Sequence, residues 1–396
     1  MKNQLSTERI LSIDALRGIT IAVMIFVNEL AGVQNIPAWM KHMPASADAM
    51  TFVDAVFPAF LFIVGMSIPF ALNTRIKKGD SVVALQAHIL FRTIGLLVLG
   101  VFMVNAEGGY NEQAMGMPIY LWSLLFYVSV ILVWNAYTFS NVVIAYALRG
   151  IGVVGLVVLA MLYRGGDDGT QTLTPQWWGI LGLIGWAYLG AVVFYQLWQG
   201  RIVGMVAMSV LCTVVYILGK QPAVEASSFG WISALGGHAS HTSIVLNGII
   251  LALLFFDNRI PKTIGRRFAE AGVFALVLFV VGFALRPVYE LSKIRATPSW
   301  CMYSSAFCCV LFMVLYEVVD RRSVRGWFGF MKPAAANPLL TYIVPFIVYA
   351  LMGLCHLTWP AVFYQGVYGI VWSAVFAVLV IATVPLLNRA GIKLRL

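Results

Sequence analysis

Apolar runs of membrane-crossing length follow one another along almost the whole chain. Allowing about 20 apolar residues per ~30 Å crossing, about twelve spans fall at roughly 10–31, 50–72, 84–104, 117–134, 140–163, 177–198, 202–219, 242–257, 269–286, 300–319, 334–353 and 361–387. Short connections join them, and no internal repeat, low-complexity tract or linker interrupts the series. The pattern predicts an all-α fold, a polytopic transmembrane helical bundle of about 11–12 spans. One integral-membrane domain over residues 1–396 is expected. The run behind Lys2 and Arg9 is long and lacks a small-residue cleavage site, so it reads as a retained first helix and not a signal peptide.

Composition agrees: 61% of residues are hydrophobic and 11% charged, with a mean hydropathy of +0.88. With the N-terminus inside, about 17 of the Lys and Arg fall on the tails and inner loops and about six on the outer loops, which places both termini in the cytoplasm. That bias accounts for the net charge of +10. The positive loops face an anionic leaflet, so the lipid bilayer is the expected partner and nucleic acid is not. Five cysteines, Cys212, Cys301, Cys308, Cys309 and Cys355, lie in or near spans without C-x-x-C spacing, as buried apolar thiols do.

In so apolar a chain, each polar group inside a span is costly unless it is used. Asp14, Arg17 and Asn28 fall within about 60° of one another around the first helix, a face expected to point into the bundle. Asp14 and Arg17 are also spaced for an i, i+3 ion pair. About 21 Å of helix separates Asp14 from Asn28, so that face links the two sides of the membrane. Asp54 opens the second span, placed either to orient a histidine or to cap its own helix. Pro58 follows four residues on and should bend the helix. His42 lies in the connection between these two helices. The longer outer connections carry Trp39, Trp177, Trp178, Trp231 and Trp300, suited to a headgroup-level aromatic belt. His42, His238, His241 and His356 also fall on the outer side.

Histidine takes a proton near neutral pH and can carry an acyl group as a nucleophile. A neighbouring amide such as Asn28 can orient it or stabilise an oxyanion. That constellation suits acyl transfer. No H-E-x-x-H, clustered Cys/His spacing or carboxylate-rich loop points to a metal, and neither a Walker-type loop nor a G-x-G-x-x-G after a strand is present.

The run Ser12-Ile13-Asp14-Ala15-Leu16-Arg17-Gly18, through Phe26-Val27-Asn28 and Lys41-His42, to Val53-Asp54-Ala55-Val56-Phe57-Pro58 and on to Gly65 resembles the heparan-α-glucosaminide N-acetyltransferase family and its bacterial relatives. The likeness recurs weakly at Lys293–Trp300 and at Asn337-Pro338-Leu339 with Tyr342. It departs at Met43–Ala47, where the family carries a Trp-Asn-Gly-like turn. The resemblance implies transfer of an acetyl group from cytoplasmic acetyl-CoA to the amine of a glucosamine-type sugar on the far side. It implies His42 as general base or transient acetyl carrier, with Asn28 beside it; Asp54, from its position, is the third catalytic candidate. Arg17, Asp14, Arg75 and Lys77 are then the candidates for contacting CoA, and Lys293, Arg295 and His238 for the sugar acceptor. A bacterial inner membrane location and a homodimer are also implied, with no metal. The alternative is a secondary transporter for amino sugars or oligosaccharides, which twelve helices with both ends inside would suit. Against it, the loop from Asn73 to Asp80 lacks the major-facilitator pattern, and no paired broken helices stand in matching halves.

Overall fold

The computed structural model describes residues 10–139, 141–259 and 261–395. Lys2 and Arg9, counted above on the inner side, lie outside the described residues. Twelve helices follow the predicted series: α1 (Leu11–Leu30), α2 (Phe52–Lys77), α3 (Val82–Glu107), α4 (Ile119–Trp134), α5 (Val142–Leu162), α6 (Gly179–Leu197), α7 (Ile202–Gly219), α8 (Trp231–Phe256), α9 (Ile264–Tyr289), α10 (Pro298–Leu315), α11 (Pro338–Leu354) and α12 (Gly366–Arg389). Among the described residues, ten of these spans are long and apolar enough to cross a bilayer. An eleventh arises if Gly326–Ala336 and α11, bent by 79°, count as one broken span. Helix α4, with 16 residues, is shorter than a full crossing. The protein is thus an all-helical, polytopic membrane bundle.

Helix α8 differs most from expectation. It begins at Trp231, eleven residues or so before the apolar run that predicts it. Gly236, Gly237, His238, Ser240 and His241 make its first turns read as a polar connection. They are helical nonetheless, because Gly236, Ser240 and His241 are buried, where the helix satisfies their backbone groups internally.

The chain groups into two compact units. The first takes the residues up to Thr20, Pro37–Thr93 and Ile184–Gly329; the second takes Ile21–Ile36, Ile94–Leu183 and Phe330 onward. In the first unit α8 is the central helix, and 89% of its apolar window is buried. It meets α2 backbone to backbone. A Cβ on Gly65 would lie 1.9 Å from the carbonyl oxygen of Val245, and one on Gly248 would lie 2.1 Å from that of Phe62. Such mutual approach of small residues replaces the hydrophobic driving force that helices lack in lipid. Asn247 on α8 then cross-links its neighbours, accepting from Ser209 Oγ of α7 at 2.9 Å and donating to Ser305 Oγ of α10 at 3.1 Å.

The start of α1 is anchored in the same unit. The first N–H groups of a helix have no partner within it, and here those of Leu11 and Ser12 donate to the Asp320 carboxylate at 3.2 and 2.9 Å. Asp320 sits in the π-turn Tyr316–Arg321 that ends the α10 span.

The second unit is held by ring packing and by side chains that close its loops. Phe102, Trp122 and Phe126 form one cluster of near-parallel rings, with centroids 5.3, 4.8 and 6.1 Å apart. Asn105 donates to the Thr174 carbonyl at 2.7 Å and accepts from Gln176 at 3.0 Å.

Candidate active site

In the first unit, the connection before α2 and the first turn of α2 meet a segment far away in sequence, the loop between α9 and α10. Thr51 is the N-cap of α2 and forms a reciprocal capping box with Asp54. Asp54 Oδ2 accepts from the Thr51 N–H at 3.0 Å and the Met43 N–H at 3.3 Å. Its other oxygen, Oδ1, lies 2.7 Å from His42 Nδ1. One carboxylate therefore caps the helix with one oxygen and holds the imidazole with the other, so the two expected roles are filled together. The Thr51 hydroxyl donates to the Lys41 carbonyl at 3.0 Å, which pins the backbone next to His42. Asp54 is 1% exposed whereas His42 is 39% exposed. The buried acid fixes the ring and the ring meets the solvent.

An ionised carboxylate only accepts hydrogen bonds. The short contact to Asp54 therefore places a proton on His42 Nδ1 and leaves the Nε2 lone pair as the reactive position. Lys293 Nζ lies 3.2 Å from Nε2 and 3.3 Å from Nδ1. So nearly equal an approach to the two ring nitrogens sets the ammonium over the face of the ring, out of line with the in-plane Nε2 lone pair. Burial disfavours the charged form of Lys293 and brings its pKa down to about 8, against an opposing pull from Asp54.

The Lys293 loop is tied to the His42 connection by Asp48. Its carboxylate accepts from Arg286 Nε at 3.1 Å and from the Leu291 N–H at 2.8 Å. Glu290 and Ala296, on either side of Lys293, have left-handed φ values of 56° and 49°. That conformation is costly for residues with a Cβ and persists where surrounding contacts impose it. Thr297 Oγ1 reinforces the turn by donating to the Glu290 carbonyl at 3.0 Å.

Behind the site, Trp300 Nε1 donates to the Asp54 carbonyl at 3.2 Å. Trp300 is fully buried at 0% exposure, so it is a packing and hydrogen-bonding wall and not the belt anchor its position in the sequence suggests. Trp39 and Trp231, by contrast, are exposed. His241 stands edge-on to both Phe57 and Trp300, with ring centroids 5.2 and 6.2 Å away.

The other expected site residues are dispersed. Arg295 pairs with Glu290, and its carbonyl accepts from Tyr216 Oη at 3.2 Å. His238 lies within α8, edge-on to Trp186 at 6.1 Å. Asp14 and Arg17 form the i, i+3 ion pair at 3.3 Å, and Arg17 also donates to Ser67 Oγ on α2 at 2.8 Å. Arg75 pairs with Asp80 at 2.6 Å and, with Lys77, occupies the last turn of α2. That end is about 32 Å along the helix from Asp54, a full membrane thickness. Asn28 is exposed in the last turns of α1 and belongs to the second unit. The five cysteines are all free thiols, and only Cys355 is exposed. Among the described residues no group of His, Cys, Asp and Glu could hold a metal ion.

Fold and site together define a polytopic membrane protein that carries an Asp–His–Lys cluster at the end of a helix. The chain belongs to the family described as "Domain of unknown function (DUF5009)", whose model matches residues 9–253 and so takes in His42 and Asp54. It is also similar to heparan-alpha-glucosaminide N-acetyltransferase of Mus musculus, 35% identical over 101 residues. To the Homo sapiens protein of the same name it is 37% identical over 98 residues. These alignments cover 25% and 24% of this chain, and 14% of each relative's length. The likeness relates this chain to an N-acetyltransferase over about a quarter of its length.

Proposed function

We propose that this protein is an acetyl-CoA-dependent N-acyltransferase of the cytoplasmic membrane of a bacterium. In this reading both termini are cytoplasmic, and the acceptor is the amine of a glucosamine-type sugar on the outer side. The observation that carries the proposal is the imidazole of His42, held through Nδ1 by a buried carboxylate, within a chain similar over about a quarter of its length to N-acetyltransferases.

In the direct route the acceptor nitrogen attacks the thioester carbonyl carbon. The proton on that nitrogen passes to His42 Nε2, the C–S bond breaks, and the CoA thiolate leaves and takes the proton from the imidazolium. Asp54 keeps the ring in the required tautomer and stabilises its charged form, as in other histidine-based acyl transfers. In the two-step route Nε2 itself attacks the thioester carbonyl, the C–S bond breaks and the CoA thiolate leaves. The amine then attacks the acetyl-imidazole, the N–C bond to Nε2 breaks, and the amine's proton passes through the freed Nε2 to the thiolate. Either route develops negative charge on the carbonyl oxygen, and the Lys293 ammonium is the adjacent donor for it. Asn28 is proposed as a second polar group for the transfer. Arg17, Asp14, Arg75 and Lys77 are proposed to contact CoA, and Arg295 and His238 the acceptor.

Purified protein given labelled acetyl-CoA and glucosamine tests the reading. Equal amounts of N-acetylated sugar and free CoA thiol are expected. Sugar binding or uptake with no thiol release would instead favour a transporter.

Lys293 gives the reaction a pH signature. A lysine titrating near 8 is about ten-to-one charged at pH 7 and loses that charge as pH rises through 8. Arginine stays charged throughout. The ratio of native to Lys293→Arg rates, measured at saturating acceptor, is therefore expected to fall several-fold between about pH 7 and 9. A ratio independent of pH would remove Lys293 from the oxyanion role.

A further inference from the structure

The second unit contains a carboxylate that the acyl-transfer chemistry leaves unused. Glu29 is half-buried in the last turn of α1. The Tyr349 hydroxyl of α11 lies 2.6 and 2.5 Å from its two oxygens. Trp372 Nε1 of α12 donates to Oε1 at 3.1 Å. Among the described residues no Lys, Arg or His forms an ion pair with it. The surroundings are aromatic. Trp372 is stacked face to face on Phe363 at 4.4 Å, and Trp359 leans on Trp372 at 4.7 Å. Both Trp359 and Phe363 are only partly buried.

A carboxylate inside a membrane helix is costly unless it meets a positive partner or a function. Here neutral donors fix its position but leave its charge without a counter-ion. Partly exposed aromatic faces attract cations, and they also cover the apolar C–H face of a ring. A fixed anion beside such faces suits a ligand with one ammonium group on a compact ring.

We propose that Glu29, Tyr349 and Trp372, flanked by Trp359 and Phe363, form a binding site for a small molecule bearing a primary ammonium group, of the amino-sugar class. This rests on the reading above only for the choice of an amino sugar over other ammonium compounds. Glu29 supplies the charge, Tyr349 and Trp372 hold it in one orientation, and the aromatic faces take the ring.

The test is equilibrium binding of labelled glucosamine to the protein in phosphatidylglycerol nanodiscs, without acetyl-CoA. Unlabelled glucose and N-acetylglucosamine serve as competitors. Glucosamine is expected to compete at least about ten-fold better than either, since both lack the ammonium that pairs with the carboxylate. Glu29→Gln should abolish that preference, and Trp359→Ala should weaken glucosamine several-fold. Equal competition by the three sugars overturns the proposal, as does an undiminished preference in Glu29→Gln. If Glu29→Gln does not fold, the ranking of the three sugars on the native chain decides. Nanodiscs containing phosphatidylethanolamine distinguish the other source of the same group. Displacement of glucosamine by that lipid would assign the site to a headgroup and overturn the sugar assignment. Acetyl transfer is read separately. Selective binding without transfer defeats the enzyme reading and leaves this site standing, whereas transfer without amine preference does the reverse.

Discussion

His42→Ala is expected to lower the turnover number for acetyl transfer by roughly 10²–10⁴-fold, the range a positioned acid–base group supplies. The loss should fall on kcat and leave the KM for acetyl-CoA within a few-fold, because the ring acts on the reacting proton and its removal takes away transition-state stabilisation. The fold should survive. His42 is 39% exposed, and Asp54 keeps the N–H groups of Thr51 and Met43 when the ring is gone. Asp54→Asn makes the companion test, since it keeps the side-chain shape but offers an amide where His42 needs an acceptor. A comparable fall in kcat is expected there with the helix cap kept, because the amide oxygen still accepts from the Thr51 and Met43 N–H groups while its NH2 faces His42. Steady-state kinetics in detergent check both. A His42→Ala protein within about ten-fold of native activity would remove the imidazole from the chemistry.

Gly248→Leu is expected to prevent the first unit from assembling. A Cβ at this position would lie 2.1 Å from the Phe62 carbonyl oxygen and 3.0 Å from the Met66 nitrogen. Both are backbone atoms, which cannot swing away, so α8 and α2 would have to separate. Overpacking of a close core costs about 1–3 kcal/mol even where side chains can yield, and more is expected here. Gly65 makes the reciprocal contact from α2, and separation there would move the helix whose first turn carries Asp54. Gly237, on the same helix α8, has nothing within 4 Å of where a Cβ would be. Gly237→Ala should be harmless or stabilising by up to about 1 kcal/mol from helix propensity. Thermal unfolding of the two purified variants, followed by size-exclusion chromatography, makes the comparison. Equal stability would mean that the α2–α8 crossing is not the tight contact described.

Much of this was legible in the sequence, for identifiable reasons. Membrane helices need long apolar runs, and each of the twelve predicted runs coincides with a helix. The one large boundary difference, at α8, comes from polar residues that face protein. Hydropathy cannot tell these from residues that face water. Asp54 was readable as a cap or as a partner for histidine because it falls at N3 of a helix just after a histidine-bearing connection. That one carboxylate serves both needs depends on where its two oxygens point, which spacing does not encode.

Lys293 was visible as an outer basic residue, but its approach to His42 spans 251 positions. It follows from the Asp48 clamp and from left-handed turns at residues other than glycine, which carry no compositional signal. Trp300 read as an interface anchor because its type and place suit one; only its burial and its bond to the Asp54 carbonyl reveal the wall behind the site. Asn28 was expected to share an inward face with Asp14 and Arg17. It is exposed instead, as an amide in the last turn and a half of a span can be, where water supplies its partners. The Glu29 cluster draws on residues more than 300 positions away, beyond the reach of any local pattern.

The sidedness of transfer is the central claim, and one measurement addresses it directly. Protein is reconstituted into vesicles with labelled acetyl-CoA sealed inside and glucosamine supplied only outside. The expected result is labelled N-acetylglucosamine in the external medium, formed by the native protein and absent with His42→Ala. Unmodified glucosamine accumulating in the lumen, or equal product from the two proteins, would contradict it.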